Sequence, residues 1–343
     1  GKHTSVYVFF GSQQTVGAGS RPTPSLIRSD FLRLSILLLE GMPITRFGKL
    51  GIIALILGGA VAGIVKGFGV TTVMSQGDAG ADNWQDYQRH TIDASQTRVR
   101  LAMNLSAIGE STSSGCFECL DDVNVGRCIA AVTEGQDHVP AISVNTSRAC
   151  CGDSDPREIL RRGLQVAEET GLPLLYGMRP PEEWSFEEQM TLLRPGDVVT
   201  YCFRSQPHNI VANGQVHPAI REARQRGILF DVGHGGAAFD FNVASAAIAD
   251  GFLPDTISTD MHIHHLGNSP PHTLPRTMSK LRAAGMEPAD IFVAVTSRPA
   301  AIVQGAEVLG ALQPGAAADL VALQTSAEPV TFSDAGGNQR EGI

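Results

Sequence analysis

No run of lysine and arginine interrupts this 343-residue chain, and its formal charge is −9. A dedicated nucleic-acid surface needs a local excess of positive charge, so that class is excluded. Six cysteines in a chain this long are not the disulfide framework of a small secreted domain. Three of them, Cys116, Cys119 and Cys128, lie in GCFECLDDVNVGRC, and Cys150 and Cys151 adjoin. A CxxC pair with a third cysteine is a pattern that zinc and redox sites use. No second CxxC or histidine completes a tetrahedral set at familiar spacing, so ordinary loop and helix thiols are the expectation. No apolar stretch reaches the roughly 20 residues that span a bilayer. The longest, LGIIALILGGAVAGIV (50–65), follows Arg46 and Lys49 like a signal or anchor segment, but it is short and softened by glycine and alanine. A buried helix or loop is expected there, with membrane attachment or export as the alternative to a cytoplasmic location. The chain begins at Gly1 rather than Met, as a fragment, a processed chain or a fusion would.

Hydrophobic residues make up 43% of the chain and charged residues 18%, the balance of a globular protein with ample core. Apolar β-branched runs alternate with amphipathic helical stretches from residue 68 onward. Strands are predicted at 34–42, 69–75, 98–105, 138–145, 172–177, 197–203, 228–233 and 256–261. Each is continuously apolar and followed by a helical segment, which implies a parallel sheet buried on both faces. In DPREILRRGLQVAEETG, Asp155 reads as the N-cap, Pro156 as N1 and Gly171 as the stop. Eight strand–helix units in about 270 residues predict an α/β fold, a (β/α)8 TIM-like barrel. An open doubly wound sheet is disfavoured because no GxGxxG opens the first strand–helix turn. The domain expectation is a poorly readable segment over 1–33, the barrel over 34–308, and a small β-sandwich appendage over 309–343.

Catalytic side chains of such barrels come from the C-terminal ends of strands. Those ends carry a polar ring: Glu40 and Met42; Ser75, Gln76 and Asp78; Asn104; Ser143 and Asn145; Tyr176, Gly177 and Arg179; Tyr201 and Arg204; Asp231 and His234; Asp260, His262, His264 and His265.

Several segments then carry a more specific likeness: GVTTVMSQGDAGADNW, LRPGDVVTYCF, ILFDVGHGGAAFDF, PDTISTDMH, LPRTMSKLRAAGM and VTSRPAAIVQGAEVLGALQPGAAADLVAL. In order and spacing, over about 270 residues from 68 onward, they resemble the amidohydrolase superfamily, and within it the amidohydrolase/deacetylase, dihydroorotase-like members. The resemblance implies a hydrolase of acyl-ester or amide bonds, cyclic amides included, with one or two divalent metals. It implies ligands from an HxH at the first strand, a carboxylated lysine at the fourth, histidines at the fifth and sixth, and an aspartate at the eighth. The metals would lower the pKa of a bridging water whose proton the aspartate accepts.

Position by position the sequence departs from that set. Asp260 is the one matched ligand. Tyr201 stands where the sixth-strand histidine is expected, Gly177 where the fifth-strand histidine is, and Ser143 where the lysine is. No HxH occurs at the first strand. Phenol, serine hydroxyl and glycine contribute little to zinc affinity, so no cofactor is expected. A relocated zinc or manganese site using His262 and His264, joined by Glu40, Asp78 or His234, is the alternative. The remaining residues read as Asp260, Tyr201 and His234 handling protons, with Arg179, Arg204, His262 and Ser143 binding substrate. Asp78 and Asp82 read as loop-shaping. The partner expected is a small anionic molecule, with no nucleic acid and no membrane; a homo-oligomer stays open. Three readings follow: a metal-free enzyme, a catalytically inactive pseudoenzyme kept as a binding scaffold, and an active metallohydrolase with a relocated site or a chimeric N-terminus.

Overall fold

A computed structural model describes residues 6–8, 68–110, 115–205, 209–262, 265, 267–303, 305, 308–325 and 328–342. Six parallel strands lie side by side in chain order: β1 (Thr72–Gln76), β2 (Arg98–Asn104), β3 (Ala141–Asn145), β4 (Leu174–Gly177), β5 (Val198–Thr200) and β6 (Leu229–Phe230). A parallel bridge between Asp231 and Thr256 extends the sheet by one more chain segment. Val232 and His234 continue that pairing, their N–H groups donating to the carbonyls of Thr256 and Ser258. The architecture is that of a (β/α)8 barrel, in which sequential parallel strands follow from right-handed helical crossovers. The segment expected as a first strand, 34–42, lies outside the described residues, as do 50–65, Glu40, Met42 and His264.

Burial on both faces explains why the strands read as unbroken apolar runs. All five residues of β3 are buried, as are all of β4 and β5. Helices α1 (Val125–Gly135), α2 (Pro156–Thr170), α3 (Phe186–Leu192), α4 (Pro218–Gln225) and α5 (Phe241–Ala249) fill the crossovers, followed by α6 (Leu274–Ala283), α7 (Pro288–Val295) and α8 (Ser297–Val303). Asp155 caps α2 by accepting from the Arg157 N–H at 2.9 Å, and Gly171 ends it with φ +69°.

Two strands stop earlier than their sequence suggests, and the reason lies at their ends. The run predicted to Phe203 leaves the extended conformation at Tyr201, whose φ is +66°. The run predicted to Gly233 ends at Phe230, and Gly233 has φ +50°. A Cβ on Gly233 would stand 2.6 Å from the Tyr201 ring, so glycine there is a packing requirement as well as a conformational one. After the barrel come short antiparallel pairs. Val330–Ser333 pairs with Gln339–Gly342, and Ala322–Gln324 with Val6–Val8. Phe332 is buried, and Asp334 accepts from the Phe241 N–H at the start of α5 (2.8 Å), fastening this segment to the barrel.

Candidate functional site

The C-terminal strand ends converge on a polar mouth. Tyr201, thrown inward by its left-handed backbone, donates its hydroxyl to Gln76 Oε1 at 3.3 Å, linking β5 to β1 across the barrel. Burial, reinforced by the charges of Asp260 and Glu110, pushes the phenol well above its usual range. It is therefore a hydrogen-bond donor rather than a base. The Arg204 guanidinium lies over the Tyr201 ring, 4.4 Å from its centroid, a cation–π contact. Among the described residues that guanidinium has no hydrogen bond and no salt-bridge partner.

Asp260, itself at φ +49°, accepts from Nε2 of the exposed His262 at 3.0 Å. This hydrogen bond raises the imidazole pKa against the opposing effect of burial. The His262 N–H in turn donates to Nδ1 of the buried His265 at 2.9 Å. On the β1 to β3 side, Asn104 donates to the Gly77 carbonyl at 3.0 Å and accepts from the Ser106 N–H at 2.8 Å. Ser143 is fully buried, and among the described residues its hydroxyl has no hydrogen-bond partner; the same is true of the buried Gln76 Nε2. Native structures leave few such groups unmatched, and a site that awaits a polar ligand or water is one reason.

Glu110 is a member of this mouth that sequence reasoning missed. It follows Gly109 (φ +67°) beyond the end of β2, and its N–H donates to the Gly77 carbonyl at 2.9 Å, which draws it back over the barrel. Burial first, then the charges of Cys150, Asp78 and Asp260, push its carboxyl well above the ordinary value. Its only sequence signal is its place just past a strand end. Asp78 accepts from the Tyr87 hydroxyl at 3.3 Å, and Asp82 pairs with Arg127.

The other expected site residues are engaged elsewhere. Arg179 is buried and held by Glu183 (2.6 Å) and the Thr146 carbonyl (3.2 Å). His234 is buried, stacks on Phe239 with centroids 5.0 Å apart, donates from Nδ1 to the Gly235 carbonyl (2.8 Å), and lies 2.9 Å through Nε2 from Lys280 Nζ. Burial and the neighbouring ammonium pull its pKa down to about 3, so the imidazole is neutral and accepts from the lysine. Burial also brings Lys280 down to about 8. Lys280 was legible only as a cation falling beside Thr277 and Leu281 on the buried stripe of α6. Asp231 is a saturated node: its buried carboxylate accepts from Thr200 (2.8 Å), Thr256 (2.6 Å) and Ser258 (2.6 Å), tying three neighbouring segments together.

Among the described residues, the expected ligand positions offer little to the divalent metal that the family resemblance implies. Ser143 and Tyr201 offer neutral hydroxyls, and position 177 offers none. A Cβ at Gly177 would stand 2.7 Å from Asn145 Oδ1, so that amide fills the space a ligand side chain would cross. Among the described residues no three His, Cys, Asp or Glu side chains form a group able to hold a metal ion. Nor, among them, is any helix long and apolar enough to cross a membrane.

A parallel barrel with its polar groups gathered at the strand C-termini is the architecture of TIM-barrel enzymes at large, and similarity to known proteins narrows the class. No family model matches the chain. A deacetylase of Agrobacterium fabrum is 33% identical over 239 residues, 69% of this chain and 58% of that protein. A deacetylase of Enterococcus faecalis is 32% identical over 276 residues, 79% of this chain and 73% of that protein. Solved structures of an adenine deaminase (TM-score 0.74, 30% identity, 79% of this chain and 73% of that one) and a dihydroorotase (TM-score 0.71, 29% identity, 80% and 72%) share the fold. The chain belongs to this deacetylase family of the amidohydrolase superfamily, and it spans under three-fifths of the Agrobacterium relative's length, 58%.

Proposed function

We propose that the barrel mouth receives a small carboxylate-bearing acylated compound, and that it does so without the divalent-metal centre of the family. The observation that carries this reading is Arg204, a partly buried cation over the Tyr201 ring with no carboxylate or other hydrogen-bond partner among the described residues. Asp260 acts on this half-desolvated guanidinium only through space, and a bidentate carboxylate is the direct partner its planar fork is shaped for. The unmatched Gln76 Nε2 and Ser143 Oγ supply further polar contacts on the opposite strands. The acyl group is inferred from the relatives, which are named deacetylases.

Catalysis in this reading falls to the Asp260–His262 pair, whose 3.0 Å hydrogen bond orients an exposed imidazole at the mouth. Tyr201, held neutral, donates toward developing negative charge. The test uses N-acetylated amino acids as probes with the full chain in chelator-treated buffer. Binding is expected, and Arg204→Met should weaken it about tenfold or more. Turnover that persists in chelator and falls with Asp260→Asn supports the enzymatic form. Stoichiometric zinc or manganese on which that turnover depends overturns the metal-free reading. A second reading, a binding scaffold without turnover, is favoured by His234 and Arg179, whose polar atoms are already engaged within the protein. Binding without any hydrolysis would select it.

A further inference from the structure

One stretch that the sequence singles out has no part in the mouth. LGIIALILGGAVAGIV (50–65) holds no charged residue, nine of its sixteen residues are Leu, Ile or Val, and Lys49 and Lys66 flank it. It is shorter than the roughly 20 residues that cross a bilayer. Side chains of this kind are costly to leave in water, so the segment needs an apolar surface to lie on. Residues 50–65 lie outside the described residues, and the described chain resumes at Phe68.

Phe68 stands on the wall of a groove of about 360 Å³ between the lead into β1, helices α6 to α8 and the exit segment. Phe68 and Thr72 line it from the β1 side, Met278 from α6, Phe292 and Val295 from α7, and Val321 from the exit segment. Among the described residues its one charged lining group is Asp319, which Arg98 holds at 2.8 Å. No unmatched charge on these walls therefore calls for a polar guest. Two of the lining side chains, Phe68 and Leu312, are 38% and 61% exposed, so the groove turns apolar surface outward.

Gly69 shows how the chain arrives there. Its φ is +84°, and a Cβ on it would stand 2.7 Å from Val321 Cγ1, so the backbone is pressed onto the groove wall. Val65 lies three residues before Phe68, at most about 11 Å of extended chain. The end of the apolar run is thus delivered to the groove, and so short a tether gives it an effective concentration in the millimolar range. A second copy of the chain, or a membrane, would have to compete with that supply.

We propose that residues 50–65 dock in this groove as an intramolecular cover, their apolar side chains against Met278, Phe292, Val295 and Val321. The segment is then a built-in partner of the barrel, held by the same chain, and not a membrane anchor. The proposal is independent of what the mouth binds, because none of the groove residues belongs to the mouth.

The experiment uses the full chain with p-benzoylphenylalanine, a photo-crosslinking residue, in place of Leu312, whose exposure makes the exchange tolerable. Ordinary and isotopically heavy chains are mixed, irradiated and digested with trypsin, which cuts after Lys49 and Lys66 and frees the segment as one peptide. The expected product joins position 312 to that peptide, with both halves carrying the same isotope. Ile56→Asp and Val61→Asp should each lower its yield at least tenfold, with folding checked by circular dichroism. Crosslinks of mixed isotope would assign the groove to a second copy and overturn the proposal. No crosslink to the segment, or a yield unchanged in the folded aspartate variants, overturns it as well. Flotation with vesicles of phosphatidylcholine and phosphatidylglycerol should leave the chain in solution; binding that Ile56→Asp abolishes would make 50–65 an anchor and overturn the cover. Should both variants fail to fold, the isotope pattern of the unsubstituted segment still decides.

Discussion

Around Arg179 the polar groups are matched one to another. Its guanidinium is held by Glu183 and the Thr146 carbonyl, its N–H donates to Gln189 Oε1 (3.0 Å), and its carbonyl accepts from Gln189 Nε2 (3.0 Å). The Tyr176 hydroxyl donates to the same Gln189 oxygen (2.7 Å), and Thr146 donates to Tyr176 (3.0 Å). At the mouth the opposite holds among the described residues: the Arg204 cation has no direct hydrogen-bond or salt-bridge partner, and the buried Gln76 Nε2 and Ser143 Oγ have no hydrogen-bond partner. Both regions lie at the C-terminal ends of neighbouring strands and use the same residue types. What separates a brace from a receptor here is whether the hydrogen-bond inventory closes within the chain.

Substitutions that remove the two arginines should therefore act in opposite ways. Arg179→Met is expected to destabilise the fold by about 2–4 kcal/mol, because it leaves Glu183 only its exposed partner Arg148 and unties the Thr146 carbonyl, and urea unfolding midpoints would report it. A loss under 1 kcal/mol would break the comparison. Next in size is Gly177→His, which places a side chain against Asn145 Oδ1; overpacking of this kind costs about 1–3 kcal/mol. Elemental analysis of that variant should find no gain of zinc. Arg204→Met should leave stability within ~0.5 kcal/mol of wild type or raise it slightly, since it removes a half-buried charge with no direct ion pair among the described residues. A large loss in the absence of any ligand would show that Arg204 is a brace as well.

The smallest effect concerns Lys280. Its folded pKa is depressed to about 8 from 10.5, so the unfolded chain binds more protons between those values. Stability contributed by this group is present above the unfolded value and is lost as pH falls through the folded one. Unfolding free energies measured between pH 8 and 10.5 should rise less steeply in Lys280→Met than in wild type, and parallel curves would contradict the assignment.

The barrel was legible because parallel strands buried on both faces leave continuous β-branched runs at regular spacing, and Asp155, Pro156 and Gly171 marked α2 by local chemistry alone. Strand ends were less so: nothing local in Tyr201 announces a left-handed backbone, which arises from its packing over Gly233. The mouth was half visible. Ser143, Tyr201, Arg204 and Asp260 followed from their places at strand ends, and their partners did not. Sequence position puts Arg179 and Arg204 on an equal footing, because the difference rests on Glu183 reaching one of them across a turn. The placements of Glu110 and Lys280 depend on a loop and a helix folding back, and no periodicity encodes that.

Asn145 couples two positions. Its side chain occupies the room above Gly177 and also accepts from the Ser147 N–H at 3.1 Å, so it serves the turn after β3. A side chain added at 177 alone meets an obstacle, and a smaller residue at 145 alone loses a turn contact with nothing gained. The two positions therefore constrain each other, and a change at either is tolerated best when the other changes with it.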